Sequence, residues 1–178
     1  MLQRFDLKPF PNQSPVPAIQ IKGELSRVCD RIHFRYVVLD PHNEVIIPEL
    51  SPSQARQHNL WKTTCLELFF GLPESTAYWE VNLSPAGHWN LYRFDDYRAG
   101  MREDTAVKML PFLLHHQPGE FYLQLDLDLQ PFAAEDQALE IAISAVIETH
   151  DHQVSYWALT HPGEEADFHR RDSFILRA

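Results

Sequence analysis

In the segment FYLQLDLDL, residues 121–129, apolar and polar residues alternate along the whole length, and this pattern indicates the fold class. Successive side chains of a β-strand point to opposite faces, so a period of two predicts a strand with one face in a core. Residues 139–149 (LEIAISAVIET) follow the same pattern. Further strand-like runs occur at residues 18–25, 31–39, 63–70, 78–83, 89–94, 154–159 and 173–176.

Turn-forming sequences separate these runs: DPHN at 40–43, SPAG at 84–87, QPG at 117–119 and HPG at 161–163. Many short strands bounded by Pro and Gly, without a long helical period, predict an all-β fold. We expect a two-sheet antiparallel β-sandwich of the jelly-roll type, with roughly ten strands. No linker divides the chain, so residues 1–178 are predicted to form a single domain.

At most one short helix is predicted, at residues 51–59 (SPSQARQHN). Ser51 is a candidate N-cap, and Pro52 would occupy the first helical position, where its missing N–H costs nothing. The proline-containing N-terminus is expected to run as an extended arm along an edge of the sandwich.

Charge and composition exclude several classes of partner. The 178 residues include 15 Lys and Arg against 25 Asp and Glu, a formal net charge of −10. This field repels phosphate groups, so we expect neither a nucleic-acid partner nor a membrane partner. The N-terminus lacks the basic and apolar regions of a secretory signal, which favours the cytoplasm. Oligomeric state is not predicted.

Cys29 and Cys65 are the two cysteines of the chain. Both occur in strand-like apolar patterns, where a free, buried thiol is the common state, so we expect two reduced core thiols. Trp79, Trp89 and Tyr156 are expected to be core aromatics.

Residues 60–102 contain the most informative polar pattern. By the two-residue period, Glu67, Glu80, Asn82 and Asn90 share one face if their strands are consecutive and antiparallel. Such a face suits a sugar, because carboxylates and amides bind hydroxyl groups while aromatic rings stack on a pyranose. The alternative interpretation is the ordinary polar outer face of a sandwich.

Small side chains at Ala142 and Ser144 would leave room on that face, and Trp61 would stand at its rim. These positions complete a candidate ligand surface without adding a catalytic motif.

An ordered set of short motifs resembles the DOMON-like superfamily, which includes the family 9 carbohydrate-binding modules. The motifs are LW-x2-TC-x-E from Leu60, Y-x-E-x-N-x-SP-x-G-x-W from Tyr78, YR-x-G from Tyr97, YWAL-x-HP from Tyr156 and DFH-x4-F from Asp167. The resemblance, to a bacterial branch, implies a two-sheet β-sandwich. It also implies a sugar ligand in some branches and haem in others.

In the sugar-binding modules a Trp precedes the strand that carries a sugar-contacting Glu, and Trp61 and Glu67 match that arrangement. Their second stacking Trp has no counterpart before Asp167. His161, His169 and Tyr97 are candidate substitutes for that ring.

We therefore predict non-catalytic binding of a small polar ligand, a saccharide or sugar derivative. The predicted site residues are Trp61, Glu67, Glu80, Asn82, Arg98 and His169. Trp61 would stack, the two Glu and Asn82 would bind hydroxyl groups, and Arg98 and His169 would close the site from loops. Alternatively, Arg98 pairs with Asp95 or Asp96, and His169 ties the last loop to the sheet.

Other functions remain open at this point. Met101 with a histidine could hold haem, and Glu67 with Glu80 could process a glycoside. No cofactor is expected, although structural calcium is conceivable at acidic loops containing Asp95 or Glu164. The motif His150-Asp151-His152 is interpreted as a turn. Enzymatic activity is left undecided, with binding preferred.

Overall fold

The computed structural model describes residues 2–11 and 13–178, and it contains thirteen β-strands in two antiparallel sheets. The strands are β1 Leu2–Asp6, β2 Lys8–Pro9, β3 Gln20–Val28, β4 Arg31–Leu39, β5 Cys65–Gly71, β6 Tyr78–Leu83, β7 Trp89–Phe94, β8 Arg102–Glu103, β9 Phe112–Gln117, β10 Glu120–Asp128, β11 Glu140–Glu148, β12 Val154–Ala158 and β13 Leu176–Arg177. The predicted β-sandwich is confirmed.

One sheet has five strands in the order β1-β3-β4-β10-β9, and the other has eight. The eight-stranded sheet runs β2-β12-β11-β5-β6-β7-β8, with β13 also pairing to β11. The N-terminal arm joins both sheets, since β1 pairs with β3 and β2 pairs with β12. It is therefore an integral edge of the sandwich.

The alternating residues of the sequence form the core between the sheets. Leu125 of β10 lies opposite Phe34 of β4, and both are buried, as are Leu68 and Ile143 of the facing sheet. Alternation in β10 places its apolar side chains inward and exposes Gln124, as the period of two predicts.

Residues 51–59 do not form the predicted helix. Their backbone pairs instead with the start of β7: Trp89 N–H donates to Ala55 O at 3.0 Å, and Gln57 N–H donates to Trp89 O at 2.9 Å. The guanidinium of Arg56 lies 4.3 Å from the Trp89 ring centroid. These tertiary contacts satisfy backbone groups that a helix would have used, and they outweigh the local capping signal.

Two three-residue 3-10 helices, Leu60–Lys62 and Arg171–Ser173, are the helical segments of the described chain. Within residues 2–11 and 13–178, no helix is long and apolar enough to cross a membrane.

Two buried-residue predictions are wrong in part. Cys65 is a buried free thiol, but Cys29 is exposed, because it occupies the tight β3–β4 turn with a φ of 53°. Trp79 and Trp89 are in the core, whereas Tyr156 is 39% exposed. Its neighbour Trp157 takes the core position, because successive strand residues face opposite sides.

Candidate functional site

The outer face of the eight-stranded sheet is covered rather than open to solvent. Every residue of β5 and β6 is buried, so their side chains are enclosed on both faces of the sheet. The first 3-10 helix and the C-terminal segment, residues 166–174, cover this face. An apolar cluster separate from the main core lies beneath them. Its buried members are Phe69, Tyr78, Tyr92, Phe94, Ala142 and Phe174.

A pocket of about 310 Å³ opens in this covered face. Trp61 from the 3-10 helix, Tyr156 from β12 and Phe168 from the C-terminal loop contribute aromatic rings to its wall. Phe168 packs edge-on against Tyr156 with ring centroids 6.1 Å apart, and Trp61 packs edge-on against Tyr92 at 5.6 Å. The pocket is therefore bounded by several aromatic side chains.

Strand register brings the polar residues of the pocket together. Glu67 of β5 lies opposite Asn82 of β6 and opposite Ser144 of β11. Glu80 is two residues before Asn82, which makes it the diagonal neighbour of Glu67 on the same face. The sequence-predicted shared face is confirmed, including the small residues Ala142 and Ser144 on β11.

Glu67 is 2% exposed and lines the pocket. The Ser144 hydroxyl donates to its Oε2 at 3.0 Å. Burial raises the pKa of Glu67 well above its usual range, and the neighbouring Glu80 carboxyl raises it further. Bonds from Ser144 and from the Cys65 thiol favour the charged form but do not offset these effects.

Glu80 is 4% exposed, and Asn82 holds it in place. The Asn82 amide donates to Glu80 Oε1 at 2.7 Å, while its Oδ1 accepts from the Cys65 thiol at 3.4 Å. Burial raises the pKa of Glu80 to about 7, although the Asn82 bond and the Arg98 charge act in the opposite direction. Two adjacent buried carboxyls thus share one face, and the charged form of each is disfavoured.

His169 lines the same pocket as a neutral side chain. Its ring packs edge-on against Phe69 and Phe94, and its Nδ1 lies 2.9 Å from the Tyr78 hydroxyl. That hydroxyl also accepts the Arg98 backbone N–H at 3.2 Å, which favours donation from Tyr78 to Nδ1. Burial lowers the pKa of His169 to about 4, and Arg98 lowers it further.

With Nδ1 accepting from Tyr78, the neutral ring carries its proton on Nε2, the nitrogen that faces the carboxyl pair. Nε2 lies 4.0 Å from Glu80 Oε2, beyond hydrogen-bonding distance. The predicted tie between the last loop and the sheet is therefore present through Tyr78, and the same ring also faces the pocket.

Arg98 reaches the pocket from the β7–β8 loop, where its backbone has a φ of 50°. Its guanidinium donates to Asp167 Oδ1 at 2.9 Å. Asp167 also accepts the Tyr97 hydroxyl at 2.6 Å and the His169 backbone N–H at 3.0 Å. The alternative prediction of pairing with Asp95 or Asp96 is wrong: Asp95 binds Arg102 at 2.7 Å.

Five of the six predicted site residues line the pocket: Trp61, Glu67, Glu80, Arg98 and His169. Asn82 is fully buried and supports Glu80 from within the sheet. Asn90 is also fully buried, where its amide donates to Glu103 and its Oδ1 accepts from Arg56. These two amides position other groups and do not form part of the pocket wall.

Sequence reasoning missed Tyr156 and Phe168 as site residues. Phe168 lies inside the DFH motif, beside His169. Tyr156 was predicted as a core aromatic, but its pairing with Val146 of β11 puts it on the same face as Glu67. Of the three candidate substitutes for the second ring, His169 lines the pocket; His161 binds Lys8 O, and Tyr97 binds Asp167.

Met101 and His169 line the same pocket, which brings together the two residue types of the haem hypothesis.

The acidic residues near Asp95, considered above for calcium, already accept hydrogen bonds from other side chains. Asp95 accepts from Arg102, and Asp104 accepts the Trp79 indole N–H at 2.8 Å. Glu103 accepts from Asn90. These bonds occupy oxygens of the cluster that calcium would need for its roughly six to eight ligands. In residues 2–11 and 13–178, no group of three or more His, Cys, Asp or Glu is arranged to hold a metal.

Comparison with known proteins detects no matching family model and no matching curated relative. Solved structures do share the fold. A proposed carbohydrate-binding protein from Bacteroides uniformis superposes with a TM-score of 0.70 at 12% identity, covering 97% of this chain and 84% of that chain.

A family 9 carbohydrate-binding module from Caldicellulosiruptor kristjanssonii, solved with glucose, has a TM-score of 0.56 at 11% identity. It covers 92% of this chain and 78% of the module. The cellotriose complex from the same organism gives 0.52 at 10% identity, covering 85% and 70%. The chain thus has the fold of carbohydrate-binding proteins, including family 9 modules.

Proposed function

We propose that this protein binds a small saccharide or sugar derivative, without cleaving it, in the pocket on the outer face of the eight-stranded sheet. The observation that carries the proposal is the buried pair Glu67 and Glu80, set on adjacent strands of a pocket with aromatic walls. A sugar offers hydroxyl groups for the carboxyls and apolar ring faces for the aromatic side chains.

The contacts suggest a role for each side chain. Trp61 and Phe168 provide stacking surfaces, and Oε1 of Glu67 and Oε2 of Glu80 accept hydroxyl groups. Arg98 and His169 donate hydrogen bonds from the loop side. Asn82 acts indirectly, because its amide fixes Glu80 and itself lies beneath the pocket. Groups on strands retain their orientation and lose little freedom on binding.

Pocket size favours a short ligand. Its volume of about 310 Å³ is at the lower end of the range of small-molecule sites. One sugar residue, or the end of an oligosaccharide, would fill it. The glucose and cellotriose bound by the similarly folded modules support a ligand of this class. Membership of the DOMON-like superfamily and a cytoplasmic sugar metabolite as the ligand are parts of the same proposal.

The test is isothermal titration of the purified protein with hexoses, pentoses and cello-oligosaccharides. Trp61→Ala should weaken binding strongly, whereas Tyr122→Ala, on the outer face of the other sheet, should not. A thermal-shift screen finds the ligand first: at 100 times its Kd it adds about 2.7 kcal/mol, which is several degrees. Unchanged affinity in Trp61→Ala and Glu67→Gln would contradict the proposal.

Haem binding is the second candidate, because His169 and Met101 share the pocket. An absorption spectrum of the purified protein, taken before and after haem addition, tests it directly. A Soret band that disappears in His169→Ala and persists in His161→Ala would favour haem over a sugar.

Glycoside cleavage is separated from binding by a turnover assay. The raised pKa values of Glu67 and Glu80 are compatible with a general acid, so the carboxyl pair itself motivates the assay. Release of nitrophenol from aryl glycosides, lost in Glu67→Gln, would replace the binding proposal with a catalytic one.

A further inference from the structure

The two carboxyls of the pocket have no cationic partner at contact distance within residues 2–11 and 13–178. Among the ion pairs of the described residues, no Lys or Arg reaches Glu67 or Glu80, and His169 Nε2 is 4.0 Å from Glu80. The one arginine on the pocket wall, Arg98, is balanced by its own contact with Asp167. Buried carboxyls are normally paired, so this pocket presents an unbalanced acidic pair.

The aromatic wall adds a second feature that suits a cation. Trp61, Phe94, Tyr156 and Phe168 all line the pocket beside the carboxyls. The faces of aromatic rings carry negative electrostatic potential and attract ammonium groups, most strongly where water is excluded. The formal net charge of −10 also favours the approach of a cationic ligand over an anionic one.

We propose that the ligand carries a free ammonium group, so that the pocket selects an amino sugar whose ammonium lies between Glu67, Glu80 and the aromatic wall. This inference rests on the proposed sugar-binding function and narrows its ligand class. The ammonium replaces the missing counter-ion, and the sugar hydroxyl groups retain Arg98 and His169 as partners.

Proton exchange follows from the same geometry. Burial and the mutual repulsion of the carboxyls raise the pKa of Glu67, and burial raises that of Glu80 to about 7, so the empty pair retains protons near neutrality. An arriving ammonium stabilises the charged carboxylates, and the displaced proton passes to solvent.

The other groups around the pair keep their charge state between pH 5.5 and 7. The pKa of His169 is about 4, that of Tyr78 is about 12, and that of the Cys65 thiol is raised by burial. The pKa of Asp167 is lowered, with Tyr97 and Arg98 among its hydrogen-bond donors, and that of Arg98 is raised. Affinity for the ammonium ligand should therefore rise with pH across this interval as the carboxyl pair loses its protons.

The decisive experiment titrates the unmodified protein with glucosamine, galactosamine and mannosamine, each beside its parent hexose and its N-acetyl derivative. The N-acetyl sugars keep the nitrogen and remove the charge. Bonds to charged groups contribute more than neutral ones, so we expect at least one amine to bind roughly tenfold tighter than its parent hexose at pH 7. Equal or tighter binding of hexoses would overturn the inference and leave the proposed sugar binding intact.

Calorimetry in buffers of different ionisation enthalpy then measures proton release in the same protein, without any substitution. We expect net release on binding of the amine at pH 6.5 and none on binding of the hexose. Amine binding without proton release and without a rise in affinity from pH 5.5 to 7 would overturn the assignment to the carboxyl pair.

Substitutions test which carboxyl groups bind the ammonium group of the ligand. Glu67→Gln and Glu80→Gln preserve shape and should reduce the preference for the amine to about that for the hexose, while Glu24→Gln on the other sheet keeps it. Ethanolamine serves as a sugar-free probe. If it binds as tightly as the amino sugars, ammonium recognition is upheld and the sugar proposal fails. If no sugar and no amine binds, both proposals fail.

Discussion

The two sheets of the sandwich share one core but differ in what lies on their outer faces. The outer face of the five-stranded sheet alternates with the core side, so Gln124 and its neighbour Asp126 on β10 reach solvent. The outer face of the eight-stranded sheet holds Glu67 and Asn82 at 2% and 0% exposure. Identical strand geometry thus gives an ordinary surface on one side and an enclosed polar site on the other.

The covering segments cause this difference. The C-terminal segment brings Phe168, His169 and Phe174 across the eight-stranded sheet, and the first 3-10 helix adds Trp61. Among the described residues no equivalent segment covers β10, whose Gln124 and Asp126 are exposed. A polar strand face becomes a candidate site when another part of the chain removes it from water while leaving an opening, because enclosed carboxyls then interact strongly with a ligand.

The largest expected effect compares aromatic side chains on the two outer faces. Phe69 is 1% exposed beneath the cover, whereas Tyr122 lies on β10 of the other sheet. Phe69→Ala removes a fully packed ring and should lower the free energy of unfolding by about 3 to 5 kcal/mol, against roughly 1 kcal/mol or less for Tyr122→Ala. Urea unfolding measures both. Equal losses would mean that the cover does not form a second core.

A pH effect of intermediate size should be specific to the covered face. The folded-state pKa of Glu80 is raised from 4.5 to about 7, so folding binds its proton more tightly. The resulting stabilisation is complete below about pH 4.5 and is lost as pH rises through 7, a change of about 3 kcal/mol. Relative to Glu80→Gln, the wild type should lose stability from pH 5 to 8 in urea titrations. Parallel pH profiles for the two proteins would contradict this.

A smaller effect is expected from amides at corresponding faces. Asn82 is fully buried between the Cys65 thiol and Glu80, while Gln124 is exposed on β10. Asn82→Ala leaves buried partners without a hydrogen bond and should cost about 1 to 3 kcal/mol, but Gln124→Ala should stay within about 0.5 kcal/mol. Thermal unfolding of the two variants checks the difference. A tolerated Asn82→Ala would show that Glu80 needs no fixed support.

The smallest effect is expected at an ion pair on the outer face of the five-stranded sheet. Arg4 and Glu24 approach to 3.0 Å, but their side chains are 79% and 39% exposed. Glu24→Gln should change the free energy of unfolding by less than about 0.5 kcal/mol, because water and salt screen the pair. A larger loss in low-salt urea unfolding would disqualify this variant as the neutral control for the Glu67 and Glu80 substitutions.

Sequence alternation predicted the strands that the structure contains at their main positions. The bounds of β4, β6 and β7 agree with the predicted residues 31–39, 78–83 and 89–94. The strands β1, β2, β8 and β9 were missed, and the helix predicted at residues 51–59 is absent. The strand β2 and the segment 51–59 pair with parts of the chain far away in sequence, which outweighs local preference. The strand β9 pairs with the adjacent β10, but its sequence FLLHHQ lacks the two-residue alternation.

The candidate site was predictable in its composition and less so in its enclosure. The two-residue period placed Glu67, Glu80 and Ser144 on one face, and the strand register confirms that placement. The two-residue period does not distinguish a solvated polar face from a covered one. It therefore did not predict that Asn82 is inaccessible to a ligand. Phe168 was missed because its contacts arise from a loop without a repeating pattern.

The sequence alone was enough to establish the all-β class, the strand faces and the grouping of the acidic residues. It could do so because a two-residue period and short turns act locally along the chain. Three features depend on tertiary contacts: the C-terminal segment covers this face, Arg98 pairs with Asp167, and the buried Glu67–Glu80 pair has no Lys or Arg at contact distance among the described residues. Those outcomes depend on contacts between residues far apart in the chain, and burial, not residue type, sets the protonation of the pair.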